Sequence, residues 1–410
     1  MSDLPEGWKW FKLGDVSIDI SYGYTASAKK EATGPKFLRI TDIVPDRINW
    51  ETVPYCDIDD KNIRKYKLEK GDIVIARTGA TTGYNKIMKK DIESVFASYL
   101  IRYRINKDRA DPLFVWYNLQ SYKWYGFVEN IIGGSAQPGA NAKQFASFEF
   151  PLPPLSEQKA IASVLSSLDD KIDLLHRQNK TLEEMAEALF RQWFIEEAKE
   201  EWEDGNLEDI ADINPHYELK KGQVATYLDM KNVNASSFNP SGWQKRKFTS
   251  GMKFKNGDTL LARITPSLEN GKTCFVTFLE NDEVGWGSTE YIVIRMKKPF
   301  HPFISYVLAK TKEFRDFAIS SMSGSSGRQR ARAEVVKEYE LKIPPFEVVE
   351  QMNEQMQGIL SKLKNNAEQI RTLEKLRDTL LPKLMSGEVR VEIGPHAENA
   401  GVAGTEEVIS

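Results

Sequence analysis

The apolar and polar positions of this chain change period along its length, and they do so in the same order twice. Gly71 to Ala76 is a compact apolar run opened by a Lys70-Gly71 turn, and Tyr99 to Ile105 alternates like a β-strand. After Pro112, Leu113 to Phe127 has the spacing of an amphipathic helix. The period then lengthens into alternating steps of four and three through Ile161, Leu165, Leu168, Ile172, Leu175, Asn179, Leu182, Ala186, Leu189 and Trp193. Tyr291 to Met296 returns to strand and Phe303 to Phe317 to helix. The heptad steps resume with Met352, Met356, Ile359, Leu363, Asn366, Ile370, Leu373, Arg377, Leu380 and Leu384, offset from the first set by 191 residues. With Ile161 as d, the first run places Leu or Ile at every d position, and each run predicts a helix roughly 50 Å long.

The strands and their turns repeat as well. Lys67-Leu68-Glu69-Lys70-Gly71-Asp72-Ile73-Val74-Ile75-Ala76-Arg77 recurs as Lys253-Phe254-Lys255-Asn256-Gly257-Asp258-Thr259-Leu260-Leu261-Ala262-Arg263, and Phe148-Glu149-Phe150-Pro151-Leu152-Pro153-Pro154 as Tyr339-Glu340-Leu341-Lys342-Ile343-Pro344-Pro345. Solenoid units run to roughly 20–50 residues, so this period marks a duplicated domain with its connector. The pattern predicts an α+β chain: mixed α/β globules at 1–152 and 201–343, long helices at 153–200 and 344–388, and a disordered tail at 389–410.

Each predicted seam is narrow, so each helix needs a partner, and the nearest is the other copy. An antiparallel coiled coil gives the two halves the same environment and relates them by a pseudo-twofold axis. Ser156 offers an N-cap for the first helix. Asn179 and Asn366 interrupt the seams; they either fix helix register at a cost in stability or contact a partner protein.

The net charge of −3 hides a division. Residues 1–150 carry 22 Lys/Arg against 19 Asp/Glu and residues 205–343 carry 21 against 16, whereas 151–204 carry 6 against 13 and 344–410 carry 7 against 11. Basic globules alternate with acidic connectors. Cys56 and Cys274, far apart, read as free thiols in a reducing cytosol. No run of about 18 apolar residues suggests a membrane span. No Gly-x-x-x-x-Gly-Lys-Ser/Thr phosphate loop and no Phe-x-Gly-x-Gly loop for S-adenosylmethionine occurs. The four His (176, 216, 301, 396) lack ligand spacing. Asn214-Pro215-His216-Tyr217 superficially resembles the Asn-Pro-Pro-Tyr loop of amino-methyltransferases, but it has no counterpart in the first half.

The candidate contacts lie on loops at strand ends and between helix and connector. In the first half they are Arg77, Thr78, Thr81 and Lys86 after the strand, then Ser135, Gln137 and Lys143 around Gly133-Gly134-Ser135-Ala136-Gln137-Pro138-Gly139. In the second they are Arg263, Thr265 and Lys272, then Ser325, Arg328, Gln329, Arg330 and Arg332. Arginine suits guanine or phosphate, and free amides in a glycine-bearing loop suit phosphate; domestic salt bridges and plain turns are the competing readings. Lys245-Arg246-Lys247 reads as a solvated hairpin.

Pro151-Leu152-Pro153-Pro154-Leu155-Ser156-Glu157-Gln158 leading into a helix, the Gly134-Ser135-Ala136-Gln137-Pro138 loop, the Gly71-Asp72-Ile73-Val74 strand turn and the Leu4-Pro5-Glu6-Gly7-Trp8 opening resemble the specificity subunit of type I restriction-modification systems. The resemblance reaches about residue 390. It departs in the second half, where Glu350-Gln351 follows Pro344-Pro345 two residues late, which blurs the start of the second helix. It implies two target recognition domains that each read part of a split, asymmetric sequence of double-stranded DNA. The helices would set the gap and dock two modification (methyltransferase) subunits, and restriction (motor-nuclease) subunits would join for cleavage. It also implies no catalysis by this chain, with S-adenosylmethionine, ATP and Mg confined to partner subunits, and a prokaryotic cytoplasm. The rival expectations are a coiled-coil adaptor with two protein-binding heads, and a self-sufficient methyltransferase.

Overall fold

The structure, a computed structural model, describes residues 4–45, 47–133, 139–325 and 327–391. The chain divides into two compact units, residues 1–170 with 373–410, and residues 171–372. The expected tail lies outside the described residues from 392 onward.

The first unit holds β1 (Lys9–Lys12), β2 (Ser17–Tyr22), β3 (Lys36–Leu38), β4 (Ile73–Ala76), β5 (Asn85–Ile87), β6 (Ser94–Phe96), β7 (Leu100–Ile105) and β8 (Glu149–Leu152). They form an antiparallel sheet in the order β2-β7-β4-β5, a β1-β8 pair and a parallel β3-β6 pair. The second unit holds β9 (Glu203–Asn206), β10 (Ala211–Ile213), β11 (Val224–Leu228), β12 (Gln244–Lys247), β13 (Met252–Phe254), β14 (Thr259–Ala262), β15 (Thr273–Phe275), β16 (Gly285–Gly287), β17 (Tyr291–Met296) and β18 (Glu340–Ile343). Its sheets run β10-β17-β14-β15, β9-β18 and β12-β11-β16-β13. The topology repeats strand for strand, except that β12 and β13 widen the second unit's parallel pair into four strands.

The continuous apolar run Ile73-Val74-Ile75-Ala76 is buried on both faces, because successive side chains point to opposite sides of a sheet. Ile73 and Ile75 join a core with Phe114, Trp124 and Phe150. Val74 and Ala76 join another with Leu38, Ile43 and Phe96. Leu261 and Leu260 divide in the same way in the second unit.

The turn before each strand is built alike. Gly71 and Gly257 have φ of +96° and +88°, a conformation that favours glycine. The next residue folds its carboxylate back: Asp72 accepts from the Glu69 amide at 2.9 Å and Asp258 from the Lys255 amide at 2.7 Å. Each buried carboxylate is then matched by an arginine from the neighbouring strand. Arg104 holds Asp72 through Nε and Nη2, both at 2.8 Å, and Arg295 Nη1 bonds Asp258. Burial pushes the Asp258 carboxyl up to about 6, against the opposing pull of the Lys255 amide and Arg295.

The single amphipathic helix expected in each half is two. In the first unit Pro112–Asn118 is followed by Tyr122–Ile132, because Ser121 accepts from the Trp124 amide and starts a new helix. In the second, Phe303–Lys310 is followed by Lys312–Ser320, with Thr311 as the cap. Amphipathic spacing survives such a break, so it stays hidden from periodicity. Cys56 and Cys274 are buried free thiols.

The long helices span Leu155–Arg191 and Phe346–Ser386. The first already includes Leu155, so Ser156 lies inside it and is not its cap. In the first unit Asp169 pairs with Arg377 of the second helix (3.2 Å), and Glu157 with Arg390 just past its end (2.8 Å). In the second, Asn366 Nδ2 donates to Asn179 Oδ1 at 2.8 Å. Within the first unit rising numbers on one segment meet falling numbers on the other, so these segments run antiparallel there.

Ile161, Leu165, Ile172, Leu175, Asn179, Met352, Met356, Ile359, Leu363, Asn366 and Ile370 are buried; Leu168, Leu182, Leu189, Leu373 and Leu380 are half-buried. The buried stripe is wider than the expected seam. Ile161, Ala162, Leu165, Leu384 and Met385 belong to the core of the first unit, and Ala186, Phe190, Trp193, Met352 and Met356 to that of the second. The helices are therefore core elements of the globular units as well as partners of each other.

Candidate nucleic-acid interface

In the first unit the chain leaves β4 at Arg77. The Arg77 amide donates to the Tyr99 carbonyl at 3.0 Å, and its own carbonyl accepts from the Ala140 amide at 2.9 Å. Thr78 bridges to Gly139. The strand end is thus laced to the turn before β7 and to the loop that precedes the Ala142–Ala146 helix. The Arg77 guanidinium lies 4.9 Å over the Tyr22 ring, a cation–π geometry. The Tyr22 hydroxyl accepts from the Ala142 amide at 3.0 Å. Tyr22 and Tyr99 are 40 % and 60 % exposed. Thr81 ends a tight turn from Gly79, and Lys143 is exposed on the short helix. Lys86 sits opposite Val74 in the sheet, half-buried and engaged by the fold. Ser135 and Gln137 lie outside the described residues.

The second unit repeats the lacing with other side chains. The Arg263 amide donates to the Glu290 carbonyl at 2.9 Å, and the Arg263 carbonyl accepts from the Ala331 amide at 2.8 Å. The Thr265 amide donates to the Gln329 carbonyl at 3.0 Å, and the Gln329 amide to Thr265 Oγ1 at 3.1 Å. Ser323 and Arg330 exchange both backbone bonds and close a narrow loop with exposed Ser325 and Arg328 at its tip. Arg330 grips Glu290 through Nε (2.9 and 3.0 Å) and Nη2 (2.7 Å). Arg263 Nε is buried without a hydrogen-bond partner. Lys272 Nζ is spent on the Met230 carbonyl at 3.2 Å, and Arg332 is exposed just past the lacing.

The structure therefore brings Arg77 and Thr78 to one strand end, and Arg263, Thr265, Gln329 and Arg330 to the other. It draws Lys86 and Lys272 into the fold. Sequence reasoning missed Tyr22, Tyr99 and Glu290. The last two occupy the same place in the repeat, at the offset of 191, where Ala97-Ser98-Tyr99 stands against Ser288-Thr289-Glu290. A residue that differs at a fixed position of a repeat was the available signal.

Asn214 is absorbed by structure. Its amide donates to the Val293 carbonyl at 2.7 Å and its side-chain oxygen accepts from the Val293 amide at 2.9 Å, while Tyr217 bonds Asp258. Lys245-Arg246-Lys247 lies on β12, an exposed edge strand, with Arg246 4.5 Å over Tyr227 and Lys245 paired with Glu283. Among the described residues no group of three or more His, Cys, Asp or Glu is placed to hold a metal, and no helix is long and apolar enough to cross a membrane.

One backbone lacing carrying different side chains at two strand ends makes this a duplicated protein of two similar units. A model described as the type I restriction modification DNA specificity domain matches residues 5–184 and again 199–377, and the chain belongs to that family. It is 26% identical over 424 residues to the type I restriction enzyme MjaIX specificity subunit of Methanocaldococcus jannaschii, covering 95% of both chains. It is 23% identical over 415 residues to the MjaVIII specificity subunit of the same organism, covering 95% of this chain and 94% of that one. Among solved structures it is similar to a type I restriction-modification S subunit from M. genitalium, with a TM-score of 0.55 at 15% identity over 94% of this chain and 97% of that one. It is thus a specificity subunit of a type I restriction-modification system, a family whose role is DNA target recognition within a larger assembly and which is non-catalytic.

Proposed function

We propose that each unit reads one half of a split, asymmetric DNA sequence, with Arg77 and its neighbours on one half and Arg263 and its neighbours on the other. The observation that carries this is the shared lacing of both strand ends beneath different side chains. A common frame holding unlike chemistry is what two readers of unlike sequences require. The long helices set the gap between the half-sites, and their acidic faces dock two methyltransferase subunits; motor-nuclease subunits join for cleavage. S-adenosylmethionine, ATP and Mg belong to those partners, and the complex works in the prokaryotic cytoplasm.

The test is to sequence the methylated motif made by complexes containing Arg77→Ala or Arg263→Ala. Arg77→Ala should relax only one half-site and Arg263→Ala only the other. Changes in the same half-site by both variants would sink the proposal. Absence of salt-dependent DNA binding by the assembled complex would favour a protein-binding adaptor instead.

A further inference from the structure

The Glu290–Arg330 pair does more than close a loop. A carboxylate on a surface that meets DNA is repelled by phosphate, so it is tolerated only where it faces a base donor or holds a cation in place. Glu290 holds Arg330. One Nε–H and one Nη2–H go to the carboxylate, and one Nη1–H goes to the Arg328 carbonyl at 3.3 Å. One donor stays open on each terminal nitrogen, enough for a two-pronged contact if the Nη1–H left free is the one parallel to that of Nη2. Such a fork matches the O6 and N7 acceptors of guanine; it also fits two phosphate oxygens, and an even or a base-specific loss of binding separates the two. Arg330 is exposed, its backbone is fixed by both bonds to Ser323, and Glu290 is fixed by the amide of Arg263 on its carbonyl. The guanidinium is therefore oriented before DNA arrives, which lowers the ordering cost of binding.

We infer that Arg330 reads a guanine in the half-site of the second unit and that Glu290 is its positioning residue, an inference that rests on the half-site assignment above. Among the described residues of the first unit, the corresponding positions hold no such pair. The equivalent positions are Tyr99 and Gly139, and a side chain at Gly139 would meet the Arg77 carbonyl at 3.3 Å.

The experiment uses the full chain assembled with its methyltransferase subunits. The methylated motif is sequenced for Arg330→Lys, Glu290→Gln and Arg263→Ala, and competition gel shifts use DNA altered at each base pair of the second half-site. Arg330→Lys keeps the charge and removes the fork; Glu290→Gln keeps the shape and removes the carboxylate. Both should relax the same G·C pair, with a loss of discrimination of roughly 5- to 100-fold, and leave the first half-site intact. The inference is overturned if Arg330→Lys weakens binding evenly across sequences, or if the two variants relax different positions. It is also overturned if Glu290→Gln leaves discrimination at the Arg330 position unchanged. If Arg263→Ala alters the first half-site instead of the second, the half-site assignment itself fails and takes this inference with it.

Discussion

In the first unit the strand-end arginine lies over Tyr22 and is flanked by Tyr99 and Gly139; in the second, Arg263 is flanked by Glu290 and Arg330. The backbone bonds are the same in both. The first unit offers a cation laid on an aromatic ring, suited to stacking and to broad apolar contact. The second offers a charge pair with a rigid donor fork. At these strand ends the backbone lacing is shared and the side chains differ, so one fold carries unlike surface chemistry without being rebuilt.

The frame itself should be intolerant in both units, and the largest effects test that. Arg295→Ala and Arg104→Ala each strand a buried carboxylate, Asp258 or Asp72. Because both arginines are partly exposed, the cost falls below the full penalty of a buried pair, at about 2–3 kcal/mol. Denaturant unfolding should show a similar loss in each unit. A loss in only one would mean that the frames are not equivalent.

The pH dependence sharpens the same comparison. Asp258 holds its proton up to about 6 in the folded chain and to 3.8 when unfolded, so its contribution to stability is complete below 3.8 and is lost as pH rises through about 6. Asp258→Asn should remove that slope, so wild type loses up to about 3 kcal/mol relative to the variant across this window. Parallel stability curves for the two proteins between pH 4 and 7 would refute it.

The helix pair offers an intermediate effect. Asn179→Leu leaves Asn366 buried and unpartnered and should cost about 1–3 kcal/mol, and adding Asn366→Leu should restore most of it. Additive losses in that double-mutant cycle would mean that the two amides do not act together. The smallest effect concerns what only the second unit has. Replacing Lys245, Arg246 and Lys247 of β12 by Gln should lower the salt slope of DNA binding by about 1–2 and leave both half-site words unchanged. An unchanged slope would confine β12 to shielding a sheet edge.

The duplication and the strand turns were legible because both are written in local pattern: heptad steps, a Gly-Asp turn and a double proline. The break at Ser121 was not, because a capped restart keeps the helical period. The width of the helix interfaces was not either, because Phe190, off the seam, shares a core with Phe303 and Met352, more than a hundred positions away. At the candidate interface, Arg77, Arg263 and Arg330 could be placed at the strand ends by type, but Lys86 and Lys272 look the same in sequence and are drawn into the fold. Glu290 escaped because a carboxylate argues against DNA until its partner is seen.

The first unit takes Leu380, Leu384 and Met385 into its core, residues that follow the whole of the second unit in the chain. On the ribosome, the domain translated first is therefore the one completed last. A chain interrupted before residue 373 would carry every residue of the second unit and an open, apolar wound in the first. Such a fragment would offer the cell one complete unit and one substrate for its proteases.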